Sequence, residues 1–221
     1  MRYLNLKDTV LLGRNFNEYV RMFNLNEDLL SNKILDVASG VSSFCAEGNK
    51  KGYNITSSDK IYNLKPEEIE EKCKKDLDFM EKHLRGMFKN NFNWNEFKTV
   101  DEWKKTRERT YKTFIEDYKT NRKRYIYTTY PKTNFKDDEF AISLVGHFLL
   151  LYDNILNYQF HKETIDELLR ISEEIRIFPI LNLRGEKSIF LDKILKEYKA
   201  RIEKTDYEFM KGGNKVLIIR R

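Results

Sequence analysis

The chain has 221 residues, 40% of them apolar and 14% aromatic, with 41 basic and 35 acidic side chains for a formal net charge of +6. That length suits one sizeable domain or a domain with a cap, and the aromatic content excludes the low-hydrophobicity signature of intrinsic disorder. No run of 18 apolar residues occurs, which excludes a spanning helix, and no membrane partner is expected. The start, Met1-Arg-Tyr-Leu-Asn-Leu-Lys-Asp8, lacks the apolar core of a signal peptide, so the cytoplasm is the expected compartment. Cys45 and Cys73 stand 28 positions apart with no CxxC and no histidine pattern, which predicts two buried reduced thiols and no metal site.

In chain order, residues 15–25 place Phe16, Tyr19, Val20 and Phe23 on one helical face. Lys33-Ile-Leu-Asp-Val37 is a short apolar run that closes on Ala38-Ser-Gly-Val-Ser-Ser-Phe44, with a short helix predicted to about Lys50 and a second strand over 53–58 ending at Asp59. The texture changes over 63–121. Pro66 opens a helix with acids in its first turn. Ile69, Cys73, Leu77, Met80, Leu84 and Met87 then follow at steps of three and four. Thr99-Val-Asp-Glu102 reads as a capping box starting a second helix with Trp103, Tyr111, Phe114 and Tyr118 on its apolar side.

Alternation then resumes, with strands predicted over 124–129, 140–145 and 174–179 and helices over 161–173 and 188–203. Residues 207–210 and 215–220 flank Gly212-Gly213 as an expected closing hairpin. The expected architecture is α/β: a seven-stranded, mostly parallel Rossmann-like sheet with helices on both faces and an antiparallel last strand. Residues 1–62 and 122–221 form the sheet domain, and 63–121 form a helical insert expected to serve as a lid over a substrate.

The turn after the first strand, Ile34-Leu-Asp36-Val-Ala38-Ser39-Gly40-Val-Ser42, follows the pattern apolar-apolar-Asp-x-small-x-Gly-x-small. Small residues there let the backbone approach a ligand lying over the carboxyl edge of the sheet. A dinucleotide fold needs G-x-G-x-x-G to seat a pyrophosphate on a helix N-terminus. Only Gly40 is glycine here, and Asp36 would face that pyrophosphate. An acid at this point suits a cationic, amine-bearing ligand.

The segment resembles motif I of the class I SAM-dependent methyltransferases, and Asp59, 23 residues after Asp36, matches that family's ribose-binding acid. Thr133-Asn-Phe135 through Phe140-Ala141 is similar to the segment leading into the family's fourth strand. Gly40-Val-Ser-Ser-Phe44, 147–152 and 174–179 resemble a bacterial subgroup. The likeness spans roughly 10–62 and 124–221. It implies S-adenosylmethionine as cofactor, held by Tyr19, Asp36, Ala38, Ser39, Gly40, Ser42 and Asp59, with Thr129 and Tyr130 near the adenine. His147, directly after the fourth strand, is the candidate general base. The resemblance does not name the acceptor; a small molecule is expected. RNA is the runner-up, motivated by 17 basic against 13 acidic residues over 65–124. Ala38, Ser42 and Ala141 depart from the family pattern, and they keep open an inactive binding protein of the same fold; a dehydrogenase is the third reading.

Overall fold

Lys33-Ile-Leu-Asp-Val37 carries apolar side chains toward both faces, as a strand covered by helices on either side must. As β1 (Lys33–Val37) it lies at the centre of a seven-stranded sheet in the computed structural model, which describes residues 10–86 and 89–221. Residues 1–9, and Met87 of the predicted stripe, lie outside the described residues. The other strands are β2 (Asn54–Asp59), β3 (Tyr125–Tyr127), β4 (Phe140–Gly146), β5 (Ser172–Phe178), β6 (Lys199–Lys204) and β7 (Lys215–Arg220). They run in the order β3-β2-β1-β4-β5-β7-β6, parallel except that β7 is antiparallel to both neighbours. The predicted mostly parallel sheet with an antiparallel last strand is therefore present.

Alternation along β1 divides the helices between two layers. Ile34 faces a core shared with α1 (Phe16–Met22), α3 (Phe44–Lys50), α4 (Pro66–Arg85) and α5 (Val100–Thr120). Leu35 and Val37 face the opposite core, under α6 (Tyr158–Ile171) and α7 (Leu191–Glu197); the one-turn α2 (Glu27–Leu30) precedes β1. Asp36, between these residues, shares the face of Ile34. Both cysteines are buried and unpaired, and burial pushes each thiol up to about 12.

Residues 63–121 hold α4 and α5, and both share the first core with the sheet. Ile69, Cys73, Leu77, Met80 and Leu84 are the buried residues of α4, as the stripe predicts. Phe114 stacks against Tyr62 and meets Tyr125 of β3 edge-on, so α5 forms the crossover from β2 to β3, with α4 packed against it. Thr99 caps α5 through the Glu102 amide, but the Glu102 carboxylate accepts from the Lys98 amide, one residue outside the predicted box.

Three boundaries differ from the sequence reading. The helix predicted over 188–203 stops at Glu197, and Lys199–Lys204 forms β6 along the edge of β7. The period of four that runs through Ile194, Tyr198 and Ile202 is a coincidence of spacing: Ile202 points from an edge strand and is 37% exposed. Lys-Ala-Arg-Ile-Glu-Lys also alternates, and pairing with β7 selects that alternative. Residues 207–210 consequently do not pair with β7. They carry Phe209 onto Phe92 and Phe97, and Met210 bridges to Phe92. Finally, α6 starts at Tyr158, because the Asn157 side chain caps it through the Phe160 amide, and Ser172 begins β5.

Candidate active site

The strand order reverses its direction of growth between β1 and β4, and ligands of open α/β sheets bind in the crevice beyond the strand ends at such a switch point. The residues that follow these two strands, Ala38 (φ +48°) and His147 (φ +53°), both occupy the left-handed region. For residues other than glycine this costs on the order of 1–3 kcal/mol and persists where the surroundings impose it, commonly at functional sites. Gly40 (φ +55°) completes the turn.

Around that turn the sequence-predicted residues come together. The Tyr19 hydroxyl, from α1, donates to Asp36 Oδ1 at 2.9 Å, and Ser57 Oγ donates to Oδ2 at 3.4 Å. Gly146 permits this placement of α1, since a methyl group there would stand 3.3 Å from the Tyr19 hydroxyl. Asp36 is fully buried, and that burial holds its carboxyl well above the usual carboxylate range. Asp59, at the end of β2, accepts from the Gly40 amide at 2.8 Å and the Ile61 amide at 2.9 Å. Burial raises its carboxyl too, against those two amides, which favour the anion. Among the described residues neither acid has a lysine or arginine partner at ion-pair distance. The Ser39 hydroxyl meets Tyr62 Oη at 2.7 Å, and Ser58 Oγ meets Tyr130 Oη at 2.7 Å. Ser42 works for the backbone: it donates to the Arg14 carbonyl and accepts from the Phe44 amide. Thr129 is exposed and donates to the Tyr127 hydroxyl, apart from the others.

The raised Asp36 carboxyl has a consequence for stability. Its folded-state ionisation lies above the unfolded value, so the native state loses stability as pH rises from about 4 through that ionisation. Asp36→Asn removes the loss while keeping an acceptor for Tyr19. The variant is expected to unfold later than the parent at pH 8 by about 1 kcal/mol or more, roughly 2–4 °C for a chain of this length, with the gap closing near pH 4. Thermal unfolding of both proteins from pH 4 to 8 checks this; identical pH slopes would refute it.

His147 stands on the far side of the switch point. Its backbone amide donates to the Phe178 carbonyl at 2.6 Å, while its imidazole has no hydrogen-bond partner among the described residues. Burial, with the Arg14 charge nearby, holds the ring well below the usual histidine range, so it is neutral at physiological pH. It lines a cavity of about 270 Å³ with Arg14, Trp103, Tyr152, Phe178 and Tyr207. None of the other predicted site residues lines this cavity. It opens beside the ends of β4 and β5, next to the turn rather than within it.

Sequence reasoning missed the charge cluster beneath this cavity. Glu18 is buried and accepts from Arg107 Nη1 at 2.8 Å, from Arg107 Nη2, from the Tyr207 hydroxyl at 2.8 Å and from the Asn15 amide at 3.0 Å. Burial alone would raise its carboxyl, and the Arg107 charge and hydrogen bonds override that and hold it below the usual range. Arg14 lies 4.0 Å from the same carboxylate. The preceding Gly13 is obligatory: a Cβ there would meet the Val41 carbonyl oxygen at 2.1 Å. The one local signal was the Asn15-Phe-Asn-Glu18 capping box, which is present; nothing near it in sequence announces Arg107.

No family model matches this chain. Among solved structures it is similar to the methyltransferase domain of a bacterial CtHen1, at 12% identity and a TM-score of 0.46, covering 88% of this chain and 93% of that one. It is similar to a SAM-dependent methyltransferase from Methanosarcina mazei at 14% identity and a TM-score of 0.41, over 89% and 98% of the two chains. It is similar also to the Pyrococcus abyssi tRNA (uracil-54, C5)-methyltransferase in complex with S-adenosyl-L-homocysteine, at 13% identity and a TM-score of 0.39, over 87% of this chain and 35% of that one. The strand order itself defines the architecture. The fold is a Rossmann-like, doubly wound α/β fold whose seventh strand runs antiparallel to its neighbours.

Proposed function

We propose that this chain transfers a methyl group from S-adenosylmethionine to a small-molecule acceptor. The observation that carries this reading is the pair of buried acids, Asp36 and Asp59, with no basic partner, beside a left-handed turn at the switch point. That donor set gives a pyrophosphate no basic partner and can ionise beside a cationic nucleoside, so the residues present fit the cofactor. A carboxylate has about four acceptor sites; Asp59 uses one for Gly40 and one for Ile61, which leaves capacity for two ribose hydroxyls. Asp36, kept neutral by burial, would ionise beside a cation, with Tyr19 orienting it. Tyr130, on its Ser58 hydrogen bond, would border the adenine, as would Thr129 with its hydroxyl at the protein surface.

When bound, S-adenosylmethionine supplies an electrophilic methyl group on a sulfonium. The chain's own part is to align an acceptor with that methyl, exclude water and receive a proton where the acceptor releases one. His147 is suited to the last task, because its imidazole is unpartnered among the described residues, lines the cavity and is already in the base form. Its low ionisation makes it a weak base, so the acceptors it serves best have acidic protons. Rates are expected to stay level from pH 8 down to pH 6.5 and to fall only below that. His147→Asn should lower kcat by about 10²–10⁴-fold with little change in KM if a proton must leave; a pH–rate profile of both proteins checks this, and a fall centred near pH 7 would contradict it.

Small-molecule acceptors are preferred over RNA for a specific reason. About half of the basic side chains of 65–124 stand in ion pairs with neighbouring acids, among them Lys72–Asp76, Lys74–Glu70, Lys104–Glu81 and Lys112–Glu108. Trp103 is 1% exposed and so offers no face for stacking a base. Titration calorimetry with S-adenosylmethionine and S-adenosylhomocysteine tests the proposal. Micromolar binding of both supports it. Absence of binding at millimolar concentration would leave a binding protein of this fold, and NAD binding in its place would restore the dehydrogenase reading.

A further inference from the structure

The cavity beside His147 holds more information than the position of a base. Its walls are mainly apolar and aromatic, with Leu84, Phe92, Trp103, Phe178, Tyr207 and Phe209 among them. At about 270 Å³ it lies just below the usual range for small-molecule sites, roughly 300–1,000 Å³, which favours a body of one or two fused rings.

Beneath those walls the charge does not balance. Arg14 and Arg107 share a single carboxylate, Glu18, and Arg107 takes it in a two-pronged pair that Tyr207 and the Asn15 amide complete. Arg14 is left with the carbonyl oxygens of Leu12 at 2.6 Å and Gly13 at 3.4 Å, and its Nε has no partner among the described residues. Its side chain is 13% exposed and lines the cavity. Among the described residues, two guanidinium groups face one carboxylate, which leaves one largely buried positive charge uncompensated, and such charges are kept where something pairs with them. The same residue joins cavity to turn: the Arg14 carbonyl accepts from the Ser42 hydroxyl at 3.0 Å and the Ser43 amide at 3.1 Å.

We infer that this cavity is the acceptor pocket and selects a flat, apolar acceptor bearing one carboxylate, which pairs with Arg14 while the rings lie beside Phe92 and Phe209. The assignment of the ligand as acceptor rests on the methyl-transfer reading; the charge selection does not. Bidentate pairing of guanidinium with carboxylate is directional, so it would fix the acceptor's orientation as well as retain it. His147 lines the same wall and would meet the acceptor's reacting group.

Calorimetric titration of the full chain with 2-naphthoate and with 2-naphthalenemethanol, the same rings without the charge, tests this. The naphthoate is expected to bind at least tenfold more tightly than the alcohol. Arg14→Gln should bring the two within about twofold by weakening the naphthoate alone, Arg14→Lys should keep part of the preference, and Leu84→Trp, which fills the cavity, should weaken both. Equal binding of the two probes to the parent protein overturns the inference without need of any variant, and so does a preference that survives Arg14→Gln. Titrating S-adenosylmethionine into the same protein separates the two readings. A naphthoate preference without S-adenosylmethionine binding upholds the charge selection and ends the methyl-transfer reading, whereas S-adenosylmethionine binding with no naphthoate preference ends this inference alone.

Discussion

Asp59→Ala is expected to weaken S-adenosylmethionine binding by at least a hundredfold. A carboxylate accepting two ribose hydroxyls makes two charge-assisted hydrogen bonds, each contributing about 1.5–3 kcal/mol, and 3 kcal/mol already exceeds a factor of a hundred in affinity. The substitution also releases the Gly40 and Ile61 amides, so the turn and the short 3₁₀ helix Lys60–Asn63 lose their anchor. Asp59→Asn separates these effects, because its single carbonyl oxygen retains an acceptor for one amide while the charge is gone. If the acid serves the cofactor, Asn should lose most of the affinity with a melting temperature close to the parent's. Titration calorimetry paired with thermal unfolding checks both quantities. Unchanged affinity in either variant would mean that Asp59 holds the turn and nothing else.

Glu18→Gln is expected to cost about 3–5 kcal/mol of folding free energy, the range for breaking one partner out of a buried ion pair. Against a total of about 5–15 kcal/mol for a typical domain this is severe, and poor expression or a large fall in the urea midpoint is the anticipated result. The reason lies in the count of charges. Removing Glu18 leaves Arg14 and Arg107 together without a carboxylate, and burial, with the repulsion from Arg107 added to it, already lowers the Arg14 ionisation in the parent. Combining Glu18→Gln with Arg107→Gln should recover a large part of the loss, since the double variant buries one fewer stranded charge. Chemical denaturation of the parent, the two single variants and the double variant reads the coupling directly. A single variant within 1 kcal/mol of the parent would show that the pair is hydrated rather than buried.

These two predictions draw on different sources of information. Asp59 was legible because the spacing from Asp36 spans one strand, one short helix and a second strand, a local arrangement that a motif records. Glu18 was not read from the sequence, and its one local signal is the capping box that it closes. Its partners, Arg107 and Tyr207, lie 89 and 189 residues away, and no periodicity links positions so far apart. His147 was visible as a residue after a strand. Its left-handed backbone and its unpartnered imidazole were not, because both depend on the Phe178 carbonyl and on what surrounds the end of β4.

The sequence by itself determined where the central strands lie, which faces of α1, α4 and α5 turn inward and which acids stand at the carboxyl edge of the sheet. Apolar runs, small-residue turns and amphipathic stripes are local properties, and burial of those residues is the main force that shapes each element. Tertiary structure alone decided that Lys199–Lys204 is a strand and not the end of a helix, because an edge of β7 was there to pair with it. It also decided that α1 seals Asp36 with Tyr19, and that two arginines share one carboxylate under the cavity. Hydrogen-bond partners and charge compensation are chosen after the chain has folded, among residues that only the folded chain brings within a few ångströms of one another.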